Sequence, residues 1–304
     1  MAEKLSKGLT VVVPVYNRAS IVGRMLHSIE KQTLRPLSVI LVDNGSSDGT
    51  IDELRKWQLR VGKDLDVNII SETTPGAAAA RNAGLRLVKT DWTMFFDSDD
   101  EMATDHCERA MSDVEGYDIV GWDTEHITTD GSRHIKPFYV EDAQYHNLMH
   151  GSFATQRYMA RTELFRNAGG WDKDVRYWDD IELGARLLTK HPRMKKNDGA
   201  PRVFVYENEN SISGTLYSNR PEGAALALAR MEATLGPDRQ IWVKLKHAIF
   251  AADCTREGSD EGKRVLCQLL NNEKTLRGRL LIRGIYIYRR LGGRGGARLV
   301  RFMI

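Results

Sequence analysis

The chain has 304 residues, 41% hydrophobic and 28% charged, with a formal net charge of +3. This is ordinary for a globular protein and allows one large domain, or a domain of about 200–250 residues with an appendage. Three scattered cysteines (Cys107, Cys254 and Cys267) exclude a disulfide framework and a cysteine-spaced metal site, and point to a reducing cytosol.

The first elements alternate in type. "LTVVVPVY" is the continuous apolar run of a fully buried strand. It is too short and too near the start for a signal peptide. "SIVGRMLHSIEKQ" places Ile21, Val22, Met25, Leu26 and Ile29 on one helical face. "LSVILVD" is a second buried strand that ends in the turn cluster "NGSSDGT". Thr50 and Glu53 have the spacing of a capping box for a helix over 51–61. "DVNIIS" predicts a third strand, the Ala-rich "PGAAAARNAGLRLV" a third helix, and "WTMFF" a fourth strand. This alternation predicts an α/β fold with a mostly parallel sheet flanked by helices. In such sheets ligands sit beyond the carboxyl ends of the strands. Beyond residue 118 the pattern loosens. "DIVGWDTEHITTDGSRHIKPFYV" predicts two strands around the Asp130-Gly131 turn, followed by a helix over 180–189, the strand "RVFVYE" and, from Pro221, helices. No apolar stretch reaches about 18 residues, so no transmembrane helix is expected.

Three acids, Asp97, Asp99 and Asp100, follow the fourth strand in "FFDSDDEM". Like charges this close repel by about 1–4 kcal/mol per pair, depending on how much water reaches them. Asp99 or Asp100 could instead cap a helix start. At the end of a parallel strand, the favoured reading is a site for a hard cation such as Mg²⁺ or Mn²⁺, with a phosphate as its other partner. Asp43 is either a turn acid or an acceptor for a nucleotide base or ribose. A Gly-x-Gly-x-x-Gly turn is absent after strand one, and so is a Walker motif, which argues against a nicotinamide dehydrogenase or a P-loop enzyme. In "YWDDIELGARLL", Asp179, Asp180 and Glu182 could simply complement a helix dipole. Following Trp171, Tyr177 and Trp178, they could also set a general base beside an aromatic sugar platform.

Taken together, "VVVPVYNRAS", "VDNGSSDGT", "PGAAAARNAG", "FFDSDDEM" and "GGWDKDVRYWDDIELGARL" resemble, in order and spacing, family 2 glycosyltransferases of the GT-A fold. The resemblance covers about residues 8–215. It implies a GT-A domain over 1–218, with a nucleotide-binding half at 8–118 and an acceptor-side half at 119–218, and a helical region over 219–304. It further implies that Pro14, Tyr16 and Arg18 line the nucleotide pocket, that Asp43 holds the base and that Arg81 lies near the diphosphate. Asp97, Ser98 and Asp99 match the Asp-x-Asp motif, with Asp97 near the ribose and Asp99 on the metal, a role Asp97 can share. Asp180 matches the catalytic base, and Trp171, Asp172, Trp178 and Asp179 fall on the acceptor side.

The implied reaction is inverting transfer of one sugar from a nucleotide-diphosphate donor, UDP first and GDP or dTDP next, to a hydroxyl of a glycan or lipid-linked glycan. Two departures qualify the match. Glu209 stands where many relatives carry a histidine that supplies a further metal or phosphate ligand. The Gln-x-x-Arg-Trp motif of processive synthases is missing, which points to addition of a single sugar. Rival readings are a sugar nucleotidyltransferase, whose glycine-rich signature after strand one is absent, and a non-catalytic nucleotide-sugar-binding scaffold.

Charge collects at the end of the chain. Nine basic residues lie between Lys274 and Arg301, and no acid follows Glu273. Mixed with Leu, Ile, Tyr and Phe, this segment over 274–304 is either a solvated basic end or an interfacial segment on an anionic membrane. The expected setting is cytoplasmic, peripheral on the inner face of the plasma membrane. No nucleic-acid partner is expected, because no aromatic-basic binding module accompanies the tail.

Overall fold

A computed structural model describes residues 5–35, 37–62, 64–207 and 221–293. Glu209 and the basic residues Arg294, Arg298 and Arg301 lie outside the described residues. In chain order the first elements are β1 (Ser6–Val15), α1 (Val22–Glu30), β2 (Ser38–Asp43), α2 (Thr50–Val61), β3 (Asp66–Ser71), α3 (Ala77–Leu87) and β4 (Thr90–Phe95). The middle holds β5 (Glu101–Met102), α4 (His106–Ala110), β6 (Ile119–Gly121), β7 (Thr124–Ile127), β8 (Arg133–Lys136) and α5 (Ala143–His150). Then come β9 (Tyr158–Arg161), α6 (Thr162–Asn167), α7 (Asp179–Leu188), β10 (Met194–Lys196) and β11 (Val203–Tyr206). Four helices close the described chain: α8 (Pro221–Thr234), α9 (Pro237–Arg256), α10 (Glu261–Asn272) and α11 (Leu276–Arg290).

The chain forms two compact units. One comprises Met1–Glu141, Ser152–Arg176 and Lys190–Asn208, and the other Asp142–Gly151, Tyr177–Thr189 and Glu209–Ile304. Packing thus groups α5 and α7 with the C-terminal helices, whereas the sequence reading draws its boundary at residue 218.

The first unit is a seven-stranded sheet in the order β10-β6-β9-β4-β1-β2-β3, with a second sheet in the order β5-β11-β7-β8. β1 pairs in parallel with β2 and β4, and β2 with β3, as the apolar runs predict. β9 runs antiparallel between β4 and β6. Its four residues are too few for periodicity to reveal. Val11, Val12 and Val13 are fully buried, because β1 is covered on both faces.

The capping box does not form. The N-cap of α2 is Gly49, and the Asp48 carboxylate accepts from both the Thr50 amide and the Thr50 hydroxyl. Asp48 wins because its carboxylate reaches the backbone amide two residues on, the Asx geometry that aspartate favours in turns. Gly84 lets α3 lie close on the sheet, since a Cβ there would stand 2.4 Å from Val12 Cγ1.

In the second unit, α9, α10 and α11 share an apolar core that includes Leu245, Ala248, Ala252, Val265, Ile282 and Ile285. A smaller cluster joins Tyr177, Ala224, Phe250 and Cys254, with Trp178 against it.

Candidate active site

In the first unit, the carboxyl ends of β1, β2 and β4 sit side by side. Register pairs Val15 with Asp43 and Val12 with Phe95, so Asp43 and Asp97 flank the end of β1. Turn hydrogen bonds stitch the loops there. Asn17 takes a left-handed φ of 49°, its amide donates to Ser46 Oγ at 3.0 Å, and its side-chain oxygen accepts from the Ser47 amide at 2.9 Å. The Arg18 amide donates to Thr50 Oγ1 at 2.7 Å. Asn44 donates to the carbonyls of Glu72 and Thr74 and accepts from the Gly76 amide, which ties the start of α3 to the same edge. Asp43 is buried and accepts from the Ser46 amide at 3.3 Å. Pro14 is partly buried on β1 opposite Val42, while Tyr16 is 57% exposed, a ring open to a flat ligand.

The acids after β4 form one network. Arg81 donates to Asp97 Oδ1 at 2.9 Å, and Gln156 donates to Asp97 Oδ2 at 2.6 Å and to Asp100 Oδ2 at 2.5 Å. The Tyr206 amide donates to Asp100 Oδ1 at 3.1 Å. Arg18 stands 3.7 Å from Asp99 Oδ2, and the Arg24 guanidinium donates to the Asp99 carbonyl. Ser98 is buried. Burial, followed by the charges of Asp97 and Asp99, holds the Asp100 carboxyl well above the usual carboxylate range.

The part of that shift due to Asp97 and Asp99 reflects negative charge that a cation would offset. Among the described residues no cluster of three or more His, Cys, Asp or Glu side chains could hold a metal alone. Mg²⁺ and its like use one or two carboxylates plus ligand phosphates. Asp97 and Asp99 fit that chemistry as hard oxygen donors.

Trp171 departs from its expected place in an aromatic sugar platform. It is 2% exposed, with Phe95 edge-on at 5.5 Å and the Arg81 guanidinium 4.3 Å from its ring. Its backbone is clamped in both directions by Asn82 at 2.8 Å. The indole supports Arg81 from below rather than facing solvent. Asp172 accepts from the Asp174 amide and caps the next turn.

Asp179, Asp180 and Trp178 belong to the second unit, at the start of α7. Trp178 is the N-cap residue, left-handed at φ 57°. Its ring meets Tyr177 at 4.8 Å and Phe250 at 5.8 Å, and Lys246 Nζ lies 4.3 Å from its centroid. The Ile181 amide donates to Asp180 Oδ1 at 2.8 Å, and Asn147 of α5 donates to the Ile181 carbonyl. Glu182 is buried and pairs with Arg186 at 2.6 Å. Asp179 and Asp180 remain partly exposed.

Sequence reading missed Gln156, Arg24 and Lys246. Each stands far along the chain from its partner (Asp97 and Asp100, the Asp99 carbonyl, and the Trp178 ring), and no local pattern marks any of them. Asp100 was visible only as an alternative helix cap.

A mostly parallel sheet flanked by helices, with an Asp-x-Asp sequence after β4, is the GT-A plan. The family model for Glycosyl transferase family 2 matches residues 10–168, and the chain belongs to that family. The uncharacterized glycosyltransferase EpsJ of Bacillus subtilis is 25% identical over 224 residues, which cover 69% of this chain and 64% of that protein. The chain therefore spans less than two thirds of EpsJ. The structure of S. aureus TarS 1–349 in complex with UDP-GlcNAc superposes with a TM-score of 0.64 at 14% identity, covering 98% of this chain and 92% of that one. A longer TarS chain is covered over 55% of its length. The mannosyltransferase PcManGT from Pyrobaculum calidifontis, in complex with GDP-Man and Mn²⁺, matches with a TM-score of 0.60 at 19% identity, covering 97% and 83%. These likenesses establish the fold.

Proposed function

We propose that the chain transfers a single sugar from a nucleotide-diphosphate donor, UDP first, to an acceptor hydroxyl with inversion at the anomeric carbon. The observation that carries this reading is the Asp97–Asp99–Asp100 network at the tip of β4, braced by Arg81 and Gln156. It gathers carboxylates at the carboxyl end of the parallel strands, the edge where ligands of such sheets sit. The solved neighbours bound to UDP-GlcNAc and to GDP-Man with Mn²⁺ support a nucleotide-sugar donor and a divalent ion.

In this reading Asp43 accepts a hydrogen bond from the base, and Tyr16, Pro14 and Arg18 line the nucleotide. Arg81 holds Asp97 oriented toward the ribose and diphosphate. Bound at Asp99 and Asp97, Mg²⁺ or Mn²⁺ would neutralise charge on the leaving diphosphate. Asp180 accepts the proton of the acceptor hydroxyl, an effect of about 10²–10⁴-fold. The acceptor oxygen bonds to the anomeric carbon as the carbon–oxygen bond to the diphosphate breaks, with its electron pair leaving on the nucleoside diphosphate. One in-line displacement needs no covalent enzyme intermediate, and it inverts the centre. Trp178, Asp179 and Asp172 lie on the acceptor side. The acceptor is a glycan or lipid-linked glycan of surface polysaccharide assembly, met at an anionic membrane that residues 274–304 engage from the cytoplasmic side.

Release of nucleoside diphosphate from a panel of UDP-, GDP- and dTDP-sugars with Mn²⁺ tests the activity and separates it from a binding scaffold, which releases none. Asp180→Asn keeps donor affinity and loses at least about 100-fold in turnover. Turnover within a few-fold of wild type removes the base assignment. Asp99→Ala abolishes the Mn²⁺-dependent part of nucleotide binding in calorimetry, and unchanged affinity with Mn²⁺ would refute the metal role.

A further inference from the structure

The first turn of α7 carries a contact that the reaction scheme does not use. Lys246, on α9, is buried, yet no carboxylate of its own helix neutralises it at the next turn, where Phe250 stands. Its ammonium sits 4.3 Å from the Trp178 ring centroid. Phe250, four residues on and so on the same helical face, meets the same indole edge-on at 5.8 Å. Trp178 is held left-handed at φ 57°, a backbone state that costs about 1–3 kcal/mol and persists only where its surroundings over-determine it. Lys246, Phe250 and Tyr177 are those surroundings. Two residues further on stands Asp180, whose charge acts back on Lys246. Both partners of the contact, Trp178 before α7 and Lys246 on α9, lie beyond residues 10–168, the span of the family match.

We propose that Lys246 is the positioning residue for Asp180: its ammonium, seated on the Trp178 ring, fixes the turn that presents the Asp180 carboxylate. The inference rests on Asp180 being the proton acceptor. A buried cation is a costly choice for packing alone, since a neutral side chain of similar length would fill the space without desolvation. Burial lowers the Lys246 pKa to about 8 despite the opposing charge of Asp180, so the ammonium predominates at neutral pH.

Several other ionisable groups lie on the helices around this turn, among them Cys254, Arg239 and Arg256 of α9 and Glu232 of α8, with burial pushing the Cys254 thiol up to about 12. Glu182 is paired with Arg186, Lys244 with Glu273, and Asp253 with Arg289. His247 is held near 4 by burial. His146 and His150 of α5, Asp179 of α7, and Glu222 and Arg230 of α8 remain, and a Lys246 variant serves as the control that subtracts them.

Two measurements on the full chain test the proposal. The difference in emission between wild type and Trp178→Phe isolates one of six tryptophans. It should titrate with a midpoint near 8, lose that transition in Lys246→Met, and shift it downward by about half a pH unit or more in Asp180→Asn. The readout needs no substrate. In turnover of whichever nucleotide sugar the chain consumes, Lys246→Met should lower kcat about ten-fold or more with KM within about two-fold, and should move the acid limb of the kcat profile to higher pH. Lys246→Arg should restore most of kcat. If Lys246→Met does not fold, Lys246→Gln serves in both arms.

A Trp178 transition that survives in Lys246→Met, or that ignores Asp180→Asn, overturns the contact. A kcat for Lys246→Met near that of wild type, alongside an inactive Asp180→Asn, overturns the positioning role. Near-wild-type turnover of Asp180→Asn removes the proton-acceptor reading and the role with it, and the emission titration separates that failure from an absent coupling.

Discussion

Gln156 shows how one amide can organise two carboxylates. Its Nε2 donates to Asp97 and Asp100 together, at 2.6 and 2.5 Å, and so bridges two groups whose charges repel. Truncation to Gln156→Leu would leave two carboxylate oxygens without that donor. The expected loss is about 1–3 kcal/mol of unfolding free energy, read by urea titration. The loss should be smaller with Mn²⁺ and nucleotide present, because bound cation repays part of the repulsion. An unchanged midpoint would show that the bridge contributes nothing. The acids themselves were legible, because Asp43 closes one apolar strand and Asp97 and Asp99 follow another, and the strand pattern says where those ends lie. Gln156 was not, since it sits on a three-residue turn without periodicity. Trp171 misled for a related reason. An aromatic residue in a loop reads the same whether it faces a sugar or, as here, lies beneath Arg81.

Elements meet at junctions that the pattern of apolar residues does not show. Glu273, between α10 and α11, accepts from Lys244 of α9 at 2.7 Å, from the Thr275 amide at 2.9 Å and from the Thr275 hydroxyl at 2.7 Å. Thr275 in turn caps α11 through the Gly278 amide. The Lys244 and Thr275 hydrogen bonds hold the Glu273 carboxyl down at about 2, against an ordinary value of 4.5. A depressed folded value means that the stabilisation is complete above about 4.5 and drains away as pH falls toward 2. Glu273→Gln should therefore cost about 1–3 kcal/mol at pH 7 and almost nothing at pH 2. Urea melts of both forms across that window measure it, and a constant difference at every pH would count against the charge. The helices on either side were expected from Pro221 onward, but a junction of this kind depends on a lysine 29 residues away. β9 was hidden in the same manner, being defined only by the strands on its two sides.

At the scale of the molecule, charge and apolar surface coincide on one helix. α11 buries Leu281, Ile282 and Ile285 in the core it shares with α9. Away from that core, Leu276, Leu280 and Ile287, with Leu291 at the helix end, are 74%, 60%, 54% and 82% exposed. At about 100° per residue these four fall within about 60° of one another, a single row along the helix. Arg277, Arg279, Arg283 and Arg290 are exposed around it, and α11 contains no acid. A row of leucine and isoleucine rimmed by arginine suits the boundary of an anionic bilayer, where each cation contributes about 1 kcal/mol near the surface. No described helix is long and apolar enough to cross a membrane. The full chain should float with vesicles rich in phosphatidylglycerol and stay behind with phosphatidylcholine alone, and added salt should weaken the attachment. Leu280→Glu combined with Ile287→Glu should abolish flotation and leave the melting temperature unchanged, since both side chains already face water. Should the double variant float as well as wild type, the apolar row is not the attachment. Should wild type instead run as a dimer that the same two substitutions dissociate, the row belongs to contact between copies of the chain rather than to lipid.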